Sequence, residues 1–333
     1  MNASNSYHLS DWPIIGHKNV VKFLKKSIIN NKLVHAYLFC GLKHLGKKTV
    51  AEHFAISLFN SINVSQAINI HDLEKHPDFY RIKKKENKKN ISIEQIRKLR
   101  ESLSLHSFIG SYKIALIEEA QLLTEEANNA LLKTLEEPTK ETVIVLLVTN
   151  LNTLPKTIVS RCQIIRFLPV SKKEILKFST FQKKISDDDR NLIVPLSQGR
   201  PGIVINFLKH PEKLTEYQER VQRFIEILKS NFQKRWQIIN QLMPQGIKFS
   251  EFQEDFQDLV FVWNSVIRDL LLIKNHLSSL IVNVFLKEEL ERLEERYPLV
   301  KLKEIFEEID QTKKYLSWNV NPKLAMENLV LKF

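Results

Sequence analysis

Three charged groups in this sequence are spaced as phosphate chemistry would require. The first is GLKHLGKKT at residues 41–49, where Gly41 and Gly46 are separated by four residues and followed at once by Lys47. Glycines let a backbone wrap closely around phosphate oxygens, and the lysine adds positive charge. The second is the pair Glu118 and Glu119, which ends the apolar run at 114–117. Carboxylates at the C-terminal end of a strand sit where open α/β sheets bind ligands. The third is Arg161, in Ser160-Arg161-Cys162, just ahead of another apolar run. An arginine so placed either caps a nearby carboxylate or carbonyl or reaches a phosphate. Spacing alone leaves both open.

The loop departs from the working pattern. Strand, glycine-bounded loop and helix is the P-loop arrangement, but Lys48 stands where a Ser or Thr should bind Mg²⁺. Lysine has donors only and repels a cation. Thr49 is no substitute, because one helical residue later means about 100° of rotation and ~1.5 Å of rise. His44 occupies a position that many phosphate cradles give to glycine. The loop therefore reads as a structural turn more readily than as a hydrolytic site, with nucleotide binding without hydrolysis in between. The candidate nucleotide-binding set is Gly41, Gly46, Lys47, Thr49, Glu118 and Glu119.

Strands near 37–40, 79–82, 113–117, 142–148 and 163–167 must position these groups, with helices between most of them. The run at 142–148 is apolar and rich in β-branched residues, as in a strand buried on both faces. Thr124 caps a helix whose apolar residues 127, 130, 131 and 135 keep helical spacing until Pro138. Ser92 and Gln95 form a capping box for another. Parallel α/β with right-handed crossovers follows. Residues 81–100 hold nine Lys and Arg against Glu86 and Glu94, a net +7. That stretch is either a solvated hairpin tip and helix face or a phosphate-facing patch.

A chain of 333 residues supports two or three domains, and its 7 glycines argue against a turn-rich all-β fold. The net charge of +12 is compatible with a nucleic-acid partner, though Lys-rich codon usage gives the same signature. Cys40 and Cys162 have no metal-type spacing and fit a reducing compartment. His71 and His76 read as solvated or core residues. No apolar run reaches ~18 residues and the N-terminus lacks a signal-peptide core, so a cytoplasmic protein without a membrane span is expected. Pro169 marks a boundary. Beyond it lie short helices around GRPG at 199–202, then amphipathic helices near 214–228, 236–243, 252–272, 286–293 and 302–315 and one after Pro322.

Five stretches in order carry a resemblance: HAYLFCGLKHLGKKT, HPDFY, IEEAQLLTEEANNALLKTLEEP, SRCQ and the terminal NPKLAMENLVLKF. They resemble the AAA+ subunits of the bacterial replicative clamp loader. The resemblance implies an AAA+ core over 1–168, a helical lid over 169–211 and a C-terminal helical collar over 212–333. Lys48, Glu118 in place of the usual Asp, and Gly202 where hydrolysing relatives carry a sensor arginine resemble the delta prime branch. The alternative is a gamma/tau-like or autonomous AAA+ ATPase. The same branch implies a stator with no polymerase activity and little or no ATPase activity. Its one catalytic group is Arg161, an arginine finger acting in trans on a neighbour's ATP, with Ser160 and Cys162 setting its geometry. Implied partners are the gamma/tau and delta subunits, the sliding clamp and primed DNA. Relatives often carry a four-cysteine zinc module. Residues 59–76 have no cysteine, so no zinc is expected.

Overall fold

The computed structural model describes residues 12–62, 67–86, 88–108, 112–181, 186–242, 249–317 and 320–333. The chain divides into two compact units, Met1–Phe178 with Gly199–Gly202 and Ser179–Gln198 with Ile203–Phe333.

The first unit is built on five strands: β1 (Ala36–Cys40), β2 (Phe79–Ile82), β3 (Lys113–Ile117), β4 (Thr142–Val148) and β5 (Gln163–Arg166). They pair in the order β2-β3-β4-β1-β5, and each pairing is parallel. This is the parallel five-stranded core expected from the sequence. The strands sit within a residue of their expected positions, and the apolar runs of β1, β3 and β4 are buried on both faces, whereas β2 and β5 at the sheet edges are only partly buried. Alternation along β1 sorts its side chains between two layers. Tyr37 and Phe39 join Leu24 and Ile28 of α1 (Lys18–Ile29) and Val50, Phe54 and Leu58 of α2 (Lys47–Ile62). Ala36 and Leu38 join Ile96 and Leu99 of α3 (Ile93–Ser104) and Leu131 and Leu135 of α4 (Glu125–Glu136). Leu38 and Phe39 are fully buried, and each such side chain contributes about 1.5–3 kcal/mol.

Local signals fix the helix starts. The Ser92–Gln95 capping box opens α3. Thr124 Oγ1 accepts the Ala127 N–H at 3.2 Å to open α4. A short helix, α5 (Lys156–Val159), precedes β5, and α6 (Lys172–Phe181) follows it.

The second unit is helical. It comprises α7 (Asp187–Ser197), most of α8 (Pro201–Lys209), α9 (Glu212–Lys229), α10 (Phe232–Leu242), α11 (Phe249–Lys274), α12 (Lys287–Glu294), α13 (Leu299–Ser317) and α14 (Pro322–Leu331). Gln198 and Gly199, both at positive φ, end α7 before Pro201 starts α8. The core stacks Phe224 on Trp263 with centroids 4.7 Å apart, and Phe333 meets both rings edge-on at 5.6 Å. Asp269, fully buried, accepts the N–H groups of Val282 and Asn283 at 2.8–3.1 Å and pins that turn to α11. Burial raises its pKa. No helix among the described residues is long and apolar enough to cross a membrane.

Candidate functional site

The loop after β1 is shaped by close approach. A Cβ on Gly41 would lie 2.4 Å from the Phe167 carbonyl oxygen, so only glycine fits there. The chain then turns through His44 and Gly46, both at positive φ, into the N-terminus of α2. Lys47 is 9% exposed, and its ammonium donates to Gly41 O at 2.5 Å and Leu42 O at 2.7 Å. No carboxylate of the described residues pairs with it. Burial pushes its pKa down to about 8.

The strand-end carboxylates are already compensated. Lys48 Nζ lies 3.1 Å from Glu118 Oε1, and Arg81 Nη1 lies 3.5 Å from the same oxygen. That oxygen accepts no well-directed hydrogen bond, so these contacts are charge pairing. Lys43 pairs with Glu119 at 2.8 Å. Glu119 itself has φ 48°, an uncommon conformation for a side-chain-bearing residue. Mg²⁺ does not fit this arrangement. An ammonium stands where the hydroxyl ligand belongs, and the carboxylate that should hold the metal faces two cations.

These groups converge on a cavity of about 320 Å³ lined by Lys43, His44, Gly46, Lys47, Lys48, Thr49, Glu118, Glu119 and Gly202 among others. Of the expected binding set, Gly41 alone stays behind the wall, as the acceptor for Lys47. Gly202 donates its N–H to His44 O at 2.8 Å, and a Cβ on it would come within 3.0–3.1 Å of His44. Position 202, where the resemblance implies a sensor arginine in hydrolysing relatives, is thus a contact between loop and helix. His44 has its pKa lowered by burial and then by Arg200, Lys43 and Lys47.

Arg161 lies apart from this cavity. Its Nη2 is 2.7 Å from Glu136 Oε1, and its Nη1 donates to Thr157 O at 2.9 Å. The side chain is 37% exposed. Within the chain it therefore caps a carboxylate and a carbonyl, one of the two readings the spacing allowed. The exposure leaves its guanidinium open to an external anion. Burial raises the Cys162 thiol to about 12, so it carries no thiolate chemistry at neutral pH. Ser160 Oγ donates to Thr157 O at 3.1 Å, close to the arginine's own anchor.

One residue of the basic stretch must be removed from it. Arg81 is 15% exposed and bonds Glu52 at 2.6 Å and Glu74 at 2.8 Å besides approaching Glu118. It is an internal ion-pair centre and not part of a phosphate-facing surface. Lys83, Lys84, Lys85, Arg97, Lys98 and Arg100 remain exposed. Sequence reasoning missed Arg81, Lys43 and Glu136 as members of the charged sites. Glu136 lies inside the LLKTLEEP block, but its 25-residue separation from Arg161 gave no sign that they touch. Among the described residues no group of three or more His, Cys, Asp and Glu is placed to hold a metal ion. Residues 63–66, within the cysteine-free stretch, lie outside the described residues.

Residues 16–171 match the family model described as DNA polymerase III, delta subunit. The gamma subunit of DNA polymerase III from Buchnera aphidicola (subsp. Acyrthosiphon pisum) is 26% identical over 266 residues, covering 72% of this chain and 73% of that one. The delta prime subunit from Escherichia coli is 32% identical over 130 residues, covering 39% of each chain. Among solved structures, a DNA polymerase III gamma subunit-related protein from Thermotoga maritima aligns over 93% of this chain and 97% of that one, with a TM-score of 0.44 and 18% identity.

Proposed function

We propose that this chain, a clamp-loader-family subunit of DNA polymerase III, is the delta prime-like stator of its loader. The observation that carries the reading is the Lys48–Glu118 ion pair, 3.1 Å across, in the place of a Mg²⁺ site. A hydrolytic centre needs that metal to bridge the β- and γ-phosphates and offset developing charge. Here the two protein ligands satisfy one another. The chain's own contribution to catalysis is then Arg161, presented to ATP held by a neighbouring subunit. A guanidinium stays charged and forks onto phosphate oxygens. Its pairing with Glu136 is partly exposed, and such pairs contribute only about 0–1 kcal/mol, so release toward a stronger anion costs little.

In this reading residues 1–168 form the degenerate core, 169–211 the lid and 212–333 the collar that joins gamma/tau and delta subunits. The assembly, located in the cytoplasm, opens the sliding clamp and places it on primed DNA. The chain itself requires neither zinc nor its own ATP turnover.

A second reading is a gamma-like subunit with a working site. It is favoured by the gamma relative, whose alignment extends over nearly three quarters of both chains. The two readings separate on the isolated full chain. The stator hydrolyses no ATP above buffer background with Mg²⁺ present. Turnover in the usual enzymic range of about 1 s⁻¹ or more would establish the gamma-like reading instead.

A further inference from the structure

Two carboxylates close the C-terminal end of α4. Glu136 is its last residue and Glu137 its cap, against one basic residue, Lys133, in the last turn. A helix's C-terminal end carries partial negative charge, so carboxylates there favour a cation brought from outside the helix. Arg161 supplies it. Its Nη2 lies 2.7 Å from Glu136 Oε1, while Nη1 donates to Thr157 O, in α5, at 2.9 Å. Leu131 and Leu135 of α4 and Ile158 of α5 are buried in one core cluster. The backbones that carry the two charges are thereby fixed, and only side-chain torsions can part them. Both side chains are open to solvent, at 37% and 48% exposure. A carboxylate and a phosphate offer a guanidinium the same fork of two anionic oxygens. Glu136 therefore occupies the arginine with an internal equivalent of the anion it would meet on another subunit.

We infer that Glu136 is a positioning residue whose carboxylate holds Arg161 back from the neighbouring subunit's ATP until those phosphates come within reach. The pair is an autoinhibitory contact. While the guanidinium rests on Glu136, the neighbouring site lacks its cation and hydrolysis there is slow. When the assembly closes, the more highly charged phosphate takes the guanidinium and Glu136 is left to water. An exposed pair of this kind favours the held position by no more than about fivefold, which sets the size of the effect. The inference rests on the stator reading and names the regulation of the same arginine.

Two measurements test it. On the isolated full chain, phenylglyoxal modification of Arg161, followed by peptide mass mapping, should run about two- to fivefold faster in Glu136→Gln than in wild type. In the reconstituted loader with Glu136→Gln in this subunit alone, ATP hydrolysis without clamp or primed DNA should rise by a similar factor. Hydrolysis with both present should stay within about twofold of wild type, and adding Arg161→Ala should abolish the basal rise. Glu137→Gln removes the same charge from the same helix end, and among the described residues the ion pair of Arg161 is with Glu136. That variant should match wild type in both measurements. Equal modification rates in wild type and Glu136→Gln would overturn the inference. So would a basal rise that persists with Arg161→Ala, or an equal rise in Glu137→Gln. If Arg161→Ala alone slows the loader but Glu136→Gln leaves the basal rate unchanged, this inference fails and the stator reading stands. If Arg161→Ala alone changes nothing, both fall.

Discussion

Arg81 and Arg161 belong to the same unit and carry the same guanidinium, yet their settings differ in a way that decides what each can do. Arg81 is 15% exposed and faces three carboxylates, Glu52, Glu74 and Glu118. Arg161 is 37% exposed and faces one carboxylate and one carbonyl. Removing one partner from a buried multi-carboxylate group strands charge in a poor solvent. Removing one partner from an exposed pair returns the other to water. The first arginine is thus part of the scaffold that ties β2, α2 and the end of β3 together. The second is held loosely enough to change partners.

The comparison can be broken by substitution. The largest effect is expected for Arg81→Ala, which leaves Glu52 and Glu118 close together without their shared cation. The β2–β3 junction should lose about 3–5 kcal/mol. The Glu118 amide, which donates to Ile82 O at 2.9 Å, reports this directly by native-state hydrogen exchange. Protection equal to wild type would place Arg81 among ordinary surface ion pairs.

A smaller effect is expected from pH at the loop. The Lys47 pKa of about 8 means that its charge is present below pH 8 and lost above it. The unfolded chain keeps that proton up to about pH 10.5, so the folded chain gains stability as pH rises from 8 to 10.5. Lys43, His44, Lys48, Glu118 and Glu119 face the same space, and Cys40 contributes to the Lys47 field. Between pH 8 and 10 the unfolding free energy should rise by about 1–2 kcal/mol more than it does for Lys47→Met. Urea denaturation of both proteins at the two pH values measures it, and parallel profiles would show that burial does not perturb Lys47.

The smallest effect sharpens the other side of the comparison. Glu136→Gln should change the unfolding free energy of the chain by less than about 1 kcal/mol in urea denaturation. A loss of several kcal/mol would show Arg161 to be structural in the same sense as Arg81.

Much of this was legible in the sequence because it depends on local pattern. The five strands, the Thr124 cap and the Ser92–Gln95 box follow from runs and spacings a few residues long. The altered loop was also legible, since Lys48 changes the chemistry at one position whatever surrounds it. What it pairs with was not. Lys48 and Glu118 are brought together by the pairing of β3, β4 and β1, and nothing in a 70-residue separation encodes 3.1 Å. Arg81 reads as part of the basic stretch at 81–100 because it adjoins Lys83–Lys85 in sequence. Strand alternation and the neighbouring Glu52 and Glu74 take it inward instead. Asp269 likewise gave no sequence signal, since its partners lie across a turn from a long helix.

The proposed stator role depends most on Arg161 serving a site outside its own chain. The direct measurement is ATP hydrolysis by the assembled loader, stimulated by clamp and primed DNA, with Arg161→Ala in this subunit alone. On the stator proposal, one neighbouring site should lose about 10³–10⁵ in rate, seen as loss of that site's share of single-turnover hydrolysis. Hydrolysis with unchanged rate and amplitude would contradict the account.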